Sequence, residues 1–499
     1  MPDFNITDPI FGWALRSPDA VAIVERDKAI SYHVLCVAVR HAALRFREAG
    51  WGPGDLIGVS IRGETSLHLV VALALARIGA TQVTLSPNDP PAQRLSMAQS
   101  LGIKALVADH EHDRLGTLQH LAPENNWLSA VHSTPVAPDI RVPGGDRAWI
   151  IMQSSGTTAA SKNIHVSHQF HRIRAERFKQ VFGFQPGERF MGLSGLRFWT
   201  GISRAVQCLG DGGTFVVVPV NSTAQQLLSC MEQRHVTYLS CAPNHLHALL
   251  EECGGLVPRL PALRILRCAG ATLPVSVLHA IRKRIAQNVY IDYGTNEAGG
   301  IAAATPAVLD RFPDSVGLPL PGIALEVVDE DDRPVPAGAD GHLRVRGPGI
   351  DASVLGVRTE DEAPGFRGGW FYTGDTAMLN REGAVFLKGR SDEVMNFDGI
   401  LVGPSEIESV LARHPAVAES AAFPLPSARH QDVPAVAVVL KLPLTMDELG
   451  QYCSEHLGLR APRVFFPMDK LPRNPMGKVL RRELVQFALA RLNAADKPA

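Results

Sequence analysis

The sequence predicts an α/β protein made of a large N-terminal domain and a small C-terminal one. Segments of helical periodicity alternate with short apolar runs at residues 56–60, 213–218 and 263–266, a pattern typical of strands packed against helices. At 499 residues, the chain is longer than one hydrophobic core usually supports. We therefore expect at least two domains.

The large domain is expected to span residues 1–389. Its longest apolar run, residues 69–76, ends at Arg77. This run is far shorter than the roughly 20 residues that a membrane span needs, so it predicts a buried helix. Residues 322–347 change to short strand-like pieces separated by polar turns, which predicts a β-rich subdomain closing the large domain.

The small domain is expected to span residues 390–499 and to have an α+β fold. Residues 404–411 carry a helix signal that starts with Pro404, and residues 435–440 form an apolar strand-like run. About a hundred residues are enough for an independent small domain.

Composition and charge indicate which partners and which cellular location to expect. The formal net charge is -1 and 20% of the residues are charged, so a nucleic acid is not an expected partner. The N-terminal residues lack the basic and apolar segments of an export signal. The 7 cysteines are scattered and never in C-x-x-C spacing, which indicates reduced thiols and a cytoplasmic location.

The segment SSGTTAASK, residues 154–162, indicates a phosphate-binding loop at the end of an apolar strand. Gly156 lets the backbone approach an anion, and the hydroxyls of Ser155, Thr157 and Thr158 can donate to phosphate oxygens. Lys162 adds a compact positive charge. The expected ligand is a nucleoside triphosphate, although the spacing is not that of the common hydrolase loop. A solvated polar loop is the alternative interpretation.

Six short motifs follow one another along nearly the whole chain. They are GWGPGD (50–55), the phosphate loop (154–162), YGTNE (293–297), YTGD (372–375), GRSD (389–392) and PRNPMGK (472–478). In this order they resemble the adenylate-forming superfamily of acyl-CoA and aryl-CoA synthetases, luciferases and peptide-synthetase adenylation domains. The ordered set is far more specific than any single motif.

The resemblance implies a two-step reaction. A carboxylic acid attacks the α-phosphate of ATP, which gives an acyl-adenylate and pyrophosphate, and a thiol then takes the acyl group. The thiol is expected to be CoA or the phosphopantetheine of a carrier protein. The first step needs Mg²⁺, and Glu297 resembles the acidic metal residue of the family, since a hard cation prefers an oxygen anion.

The resemblance also implies which residues bind the nucleotide. Asp375 matches the carboxylate that accepts both ribose hydroxyls, Tyr293 offers a face for adenine, and Asp292 can accept from its amine. The full expected set for ATP and AMP is Ser155, Gly156, Thr157, Lys162, Gly270, Ala271, Thr272, Asp292, Tyr293, Gly294, Asn296, Asp375 and Arg390. A turn aspartate and a rim tyrosine are the ordinary alternatives for Asp375 and Tyr293.

Catalysis is expected to depend on Lys478, Glu297 and Thr158. Lys478 follows Gly477 at a loop tip, from which a cation can reach both the acid and the α-phosphate. The family resemblance further implies that the small domain is a mobile lid that rotates between the two steps. Asp392 then matches the hinge, and Gly399 lies on the face that serves the thiol step.

The acid pocket is expected around Phe198 and Trp199, with Gly299 and Gly300 after the metal motif. Two aromatic rings and two glycines favour a compact cavity for an aryl or short acyl acid. No acidic residue occurs between positions 193 and 202, which argues against an α-amino acid.

The chain departs from the family pattern at several positions. The loop usually has Gly, Pro and Gly where Ala159, Ser161 and Asn163 stand, and Asn296 and Asn396 replace Thr and Lys. Because Ser161 and Asn296 keep hydrogen-bonding capacity, we expect a divergent active enzyme. Three functions stay open: a CoA ligase, a stand-alone enzyme that loads a carrier protein, and a silent nucleotide- or acyl-binding relative.

Overall fold

The structure is a computed structural model. It describes residues 3–62, 65–87, 89–110, 115–128, 137–153, 162–218, 221–255, 257–271, 273–357, 359–390, 393, 395–397, 400–427, 431–474 and 477–495. Strands and helices are numbered along the chain.

The largest sheet is mostly parallel. It contains the strands β1 (Val21–Glu25), β2 (Lys28–Ser31), β9 (Arg189–Gly192), β10 (Thr214–Val216), β11 (Tyr238–Cys241), β12 (Ile265–Ala269), β13 (Val289–Thr295), β14 (Gly299–Ala304) and β15 (Leu318–Pro319). Their order is β15-β14-β13-β12-β11-β9-β10-β1-β2. The strands from β13 to β1 are parallel along this path, whereas β2, β14 and β15 are antiparallel to their neighbours.

A second sheet of the large domain is also mostly parallel. It contains β3 (Leu56–Ser60), β4 (Thr81–Thr84), β5 (Ala105–Ala108), β6 (Gln119–Leu121), β7 (Ala148–Gln153) and β8 (Asn163–Ser167). The order is β6-β5-β3-β4-β7-β8, and β8 alone runs antiparallel to its neighbour among these paired strands. Such sheets are covered by helices on their faces, which explains the continuous apolar strands.

Helices connect and cover the strands. They are α1 (Asp8–Arg16), α2 (Tyr32–Glu48), α3 (Ser66–Arg77), α4 (Pro91–Leu101), α5 (His168–Phe182), α6 (Trp199–Gly210), α7 (Ala224–Gln233), α8 (Pro243–Glu251), α9 (Val275–Arg284), α10 (Pro306–Arg311), α11 (Pro404–Leu411), α12 (Met446–Leu457) and α13 (Arg481–Ala495). Within the described ranges, no helix is long and apolar enough to cross a membrane.

The predicted buried helix is α3. Residues 69–76 are each at most 1% exposed, so the helix is surrounded by core on all sides. It ends at Arg77, whose guanidinium is nearly buried and donates from Nε to Asp139 Oδ1 at 2.8 Å. The apolar run therefore forms a central helix of the large domain.

The predicted β-rich subdomain is an antiparallel sheet. It contains β16 (Ala324–Val328), β17 (Asp340–Arg346), β18 (Phe366–Arg367), β19 (Trp370–Leu379) and β20 (Val385–Arg390). The order is β16-β17-β19-β18, and β20 pairs with β19. This sheet carries the YTGD motif and the first two residues of the GRSD motif, Gly389 and Arg390, on neighbouring strands.

The C-terminal part has its own sheet and cores. Its strands are β21 (Met395–Phe397), β22 (Ile400–Val402), β23 (Val417–Ser427), β24 (Gln431–Leu440) and β25 (Val464–Pro467). On β24, Val436 and Val438 face a core with α11 and α12, whereas Ala435 and Ala437 face the core that includes Leu484 of α13. Both faces are covered, which explains the unbroken apolar run. The domain boundary at 389/390 stays a prediction.

Candidate active site

The candidate site lies at the carboxyl ends of β12 and β13, where the parallel strands of an α/β sheet commonly present ligand-binding residues. Ala269, the last residue of β12, pairs with Asp292 of β13. Gly270 and Ala271 follow and are exposed, and Gly270 has a left-handed φ of +95°. The strand pairing thus brings Gly270 and Ala271 beside Asp292 and Tyr293.

Asp292 is buried and held by a partner that the sequence did not indicate. Arg267 Nε donates to Asp292 Oδ2 at 2.9 Å, and Arg267 Nη1 donates to Ser240 Oγ at 2.6 Å. The other oxygen, Asp292 Oδ1, is buried and has no hydrogen-bond partner in the described part of the chain. Oδ1 is therefore the oxygen that could accept from an adenine amine.

A second cluster joins the nine-stranded sheet to the β-rich sheet. The Tyr293 hydroxyl donates to Asp375 Oδ2, and Arg390 Nη1 lies 3.6 Å from Asp375 Oδ1. Asp375 pairs with Arg390 in the register of β19 and β20. Burial raises the pKa of the Asp375 carboxyl, and the Tyr293 hydrogen bond and the charges of Arg390 and Lys478 oppose that rise. Residues from three motifs therefore converge on one carboxylate.

Gly374 makes room for this cluster. Its φ is +77°, and a Cβ at this position would lie 2.8 Å from Arg390 Nη2. We expect Gly374→Ala to lower the free energy of unfolding by about 1–2 kcal/mol through backbone strain and to raise the KM for ATP by displacing Arg390. Denaturant unfolding and ATP titrations measure the two effects.

Gly383→Ala is the matched control for that substitution. Gly383 has a φ of +79° in the turn between β19 and β20, and nothing lies within 4 Å of an added Cβ. It should therefore reproduce the strain but leave the KM for ATP unchanged. Equal ATP dependence in the two variants would show that Gly374 acts only through its backbone conformation.

The expected metal residue lies in the hairpin between β13 and β14. Thr295 pairs with Gly299, and Thr295 Oγ1 accepts from the backbone N–H of Ala298 at 3.1 Å. The Glu297 carboxylate is half-buried, and within the described ranges it accepts no hydrogen bond and forms no ion pair. A half-buried carboxylate that accepts no hydrogen bond from the described residues suits Mg²⁺, which keeps several waters and phosphate oxygens among its ligands.

The backbone of this hairpin is held by two arginines of α5. Arg174 donates to the carbonyls of Asn296 and Glu297, and Arg177 Nη1 donates to the carbonyl of Gly300 at 3.2 Å. Sequence reasoning missed both, because a helical segment with several basic residues ordinarily indicates a solvated face.

The residues expected to line the acid pocket differ in burial. Trp199 begins α6 and is 9% exposed, and its ring centroid lies 5.8 Å from that of His171 and 6.2 Å from that of Trp149. The core thus fixes this ring. Phe198 is partly buried, and an added Cβ at Gly300 would lie 2.8 Å from Leu320 Cδ1. The space beside Gly300 is therefore small.

The loop that carries Lys478 contacts the large domain. The Asn474 N–H donates to the Lys478 carbonyl at 2.9 Å, and the Lys478 N–H donates to Asn474 Oδ1 at 2.9 Å. Gly477 has a φ of +78°, and a Cβ there would overlap the Asn244 amide at the start of α8. The Lys478 charge opposes the rise that burial causes in the pKa of Asp375, so the lysine is within electrostatic range of that carboxylate.

Part of the expected site lies outside the described residues. These positions are Ser155, Gly156, Thr157, Thr158, Thr272, Asp392 and Gly399. Lys162 is described; it directly precedes β8, and its ammonium donates to the Pro364 carbonyl at 3.4 Å.

Comparisons with known proteins identify the family of the chain. The family model described as AMP-binding enzyme matches residues 10–352, and that of the AMP-binding enzyme C-terminal domain matches residues 406–478. The chain is 28% identical to the 4-chlorobenzoate–CoA ligase of an Arthrobacter species, covering 97% of this chain and 95% of the relative. It is 27% identical to a naringenin synthase of Pestalotiopsis fici, covering 95% of this chain but only 18% of that protein.

A solved structure has the same fold. The o-succinylbenzoate CoA synthetase of Bacillus subtilis, with its acyl-adenylate intermediate bound, gives a TM-score of 0.85 at 24% identity, covering 97% of this chain and 98% of that one. The same enzyme with ATP and a magnesium ion gives a TM-score of 0.84. The family match covers more than half of the sequence. The chain therefore belongs to the AMP-binding enzyme family.

Proposed function

We propose that this chain activates a compact aryl or short acyl acid and transfers the acyl group to CoA. Its reaction is that of an AMP-forming acid–thiol ligase. A carboxylate oxygen bonds to the α-phosphorus of ATP as pyrophosphate leaves, and the thiol sulfur then bonds to the acyl carbon as AMP leaves. The single observation that carries the proposal is the convergence of Tyr293, Arg390 and Lys478 on Asp375.

Each member of the cluster has a task in the first step. The Asp375 carboxylate binds the ribose hydroxyls, and Tyr293 and Arg390 orient it. Lys478 places a positive charge where negative charge develops on the α-phosphate and the acid, a form of stabilisation that costs little reorganisation in the transition state. Lys162 and the hydroxyls of residues 155–158 bind the leaving phosphates.

Mg²⁺ is the expected metal, and Glu297 would hold it. The ion neutralises phosphate charge when it is bound. The Glu297 carboxylate at the hairpin tip, which accepts no hydrogen bond from the described residues, supports this assignment, as does the magnesium in the structure of the Bacillus relative. Asn296 and Gly294 complete the hairpin beside it.

The class of acid is inferred from the pocket and from the relatives. Phe198, Trp199 and the tight approach at Gly299 and Gly300 favour a flat, compact acid. Chlorobenzoate and succinylbenzoate, named in two relatives, are acids of this kind. CoA is the acceptor named in those relatives, and the phosphopantetheine of a carrier protein is the alternative.

The test is a panel of aryl and short acyl acids with ATP and Mg²⁺. We expect pyrophosphate and AMP in equal amounts, formed only with certain acids, and a thioester when CoA alone is added. ADP as the stoichiometric product would overturn adenylation. A thioester formed only on an added carrier protein would assign the alternative acceptor, and no acid-dependent pyrophosphate from any acid would favour the silent relative.

Three further assignments belong to the same proposal. The small domain, residues 390–499, acts as a lid that turns about Asp392 and presents Gly399 to the thiol. A cytoplasmic location is supported by the cysteines, all 7 of which are free. Cell fractionation with an antibody against the native protein tests the location.

A further inference from the structure

Two arginines of α5 are buried side by side, and their hydrogen bonds go to backbone carbonyls. Arg174 is 3% exposed and Arg177 is 5% exposed, and the nearby charges that favour the charged form of Arg174 are those of Glu297 and Asp351. Burial lowers the pKa of Arg174 to about 9 and that of Arg177 to about 10. Buried charges are costly, so the hydrogen bonds of the two guanidinium groups have to compensate.

Both arginines donate to backbone carbonyls of the same two segments. Arg174 Nη1 donates to the Asn296 carbonyl at 3.1 Å, and Nη2 donates to the Glu297 carbonyl. The Gly349 carbonyl accepts from both Nε, at 3.3 Å, and Nη2, at 3.2 Å. Arg177 bonds Gly300 at 3.2 Å and also the Pro348 carbonyl. Each guanidinium therefore ties the hairpin between β13 and β14 to the segment that follows β17.

The two arginines hold different parts of this hairpin. Arg174 holds the residues of the expected metal site, Asn296 and Glu297, whereas Arg177 holds Gly300, which is expected to border the acid. A planar guanidinium with five donors can bond several carbonyls at once, which a lysine ammonium on a flexible stem cannot reproduce.

Gly299 shows how closely the hairpin packs on Arg174. Its φ is +72°, and an added Cβ would lie 2.9 Å from Arg174 Cδ and 3.1 Å from Arg174 Nε. A side chain at this position would push the guanidinium away from its carbonyls. Gly299→Ala is therefore a second way to disturb Arg174 while both arginines remain.

We propose that Arg174 and Arg177 are positioning residues with separate tasks: Arg174 fixes the carboxylate that binds the metal, and Arg177 fixes the wall of the acid pocket. This inference rests on the proposed function, which assigns Glu297 to the metal and Gly300 to the acid. A catalytic step is not assigned to either arginine.

The test compares Arg174→Lys and Arg177→Lys with Arg172→Lys. Arg172 lies on the same helix and pairs at the surface with Glu176 at 2.7 Å, so its variant controls for a change of arginine to lysine on α5. Calorimetry measures the binding of a non-cleavable ATP analogue with and without Mg²⁺, and thermal unfolding checks that each variant is folded. Pyrophosphate release gives the Mg²⁺ dependence and the KM of an active acid.

We expect different changes in the two variants. Arg174→Lys should weaken Mg²⁺-dependent nucleotide binding and raise the Mg²⁺ concentration for half-maximal activity by about 10-fold, the scale of one lost charge-assisted hydrogen bond. The KM of its acid should stay within about twofold of the control. Arg177→Lys should raise the KM of the acid by about 10-fold and leave Mg²⁺-dependent binding unchanged.

The outcomes separate the inference from the proposed function. If the unaltered protein binds the nucleotide without help from Mg²⁺, the function assigned to Glu297 fails and the inference falls with it. If the unaltered protein shows the Mg²⁺ effect but both variants match Arg172→Lys, or change both parameters equally, the inference alone is wrong. Should Arg174→Lys not fold, Gly299→Ala must give the same Mg²⁺ defect, and a normal Mg²⁺ dependence there overturns the assignment.

Discussion

Lys478→Ala should reduce formation of the acyl-adenylate by on the order of 10²- to 10³-fold, the usual effect of removing one preorganised group that stabilises a developing anion. Asn474 and Lys478 are joined by two hydrogen bonds, and Gly477 lies against Asn244. We therefore expect the lysine to reach the site at little cost in ordering. Acid-dependent pyrophosphate release measures the loss.

The second half-reaction provides the internal control for this variant. A synthetic acyl-adenylate should still react with CoA on Lys478→Ala, because thiol attack needs no activation of the α-phosphate. Gly399→Leu should give the reverse pattern by filling the expected path of the pantetheine arm. Lys470→Ala, at an exposed position of the same domain, should leave both steps unchanged. Equal losses in both steps for Lys478→Ala would contradict the role given to the lysine.

Apolar runs and helix-start signals in the sequence predicted individual strands and helices correctly. Residues 56–60 and 404–411 match β3 and α11. The predicted strand at 435–440 is the end of a longer strand, β24, which starts at Gln431. Its polar beginning pairs with β23, where Gln431 faces Ser427. Hydrogen bonding between strands, rather than apolar character, sets that boundary. β12 likewise extends to Ala269 because β13 continues to Asp292 beside it.

The motifs predicted site residues one at a time, but their contacts depend on distant parts of the chain. Tyr293 and Asp375 are 82 positions apart and share one hydrogen bond. Arg174 and Arg177 were missed for the same reason, because their acceptors lie 122 to 175 positions away and are backbone carbonyls, which any residue type can supply. No spacing rule in one sequence reports such a partner.

Three buried histidines of the large domain should make the fold unstable in mild acid. His68, His168 and His171 are 1%, 0% and 4% exposed. Burial, aided by nearby arginine charges, lowers the pKa of His68 to about 4 and those of His168 and His171 to about 3. His168 is tied to the N-terminal segment, since its Nδ1 accepts from the Ile6 N–H at 3.1 Å. The folded state therefore needs all three rings neutral.

The sign of the effect follows from proton uptake. In the unfolded chain a histidine takes up a proton near pH 6.5, whereas these three remain neutral in the folded chain until about pH 4 or 3. The unfolded state then binds more protons, so the free energy of unfolding falls as the pH drops below about 6.5. Each ring contributes a slope of up to about 1.4 kcal/mol per pH unit in that window.

Burial raises the pKa of Asp211, Asp375 and Glu408. Because the folded state takes up protons at these carboxyls before the unfolded state does, they raise the free energy of unfolding as the pH falls, opposite to the histidines. Single variants therefore test the histidines better than the total slope does. Denaturant unfolding between pH 7.5 and 5 should show a flatter pH dependence for His171→Gln than for the unaltered protein, by up to about 1.4 kcal/mol per pH unit. Exposed His33 supplies the control, and a His33→Gln variant that flattens the slope as much as His171→Gln would mean that burial of the imidazole is not the cause.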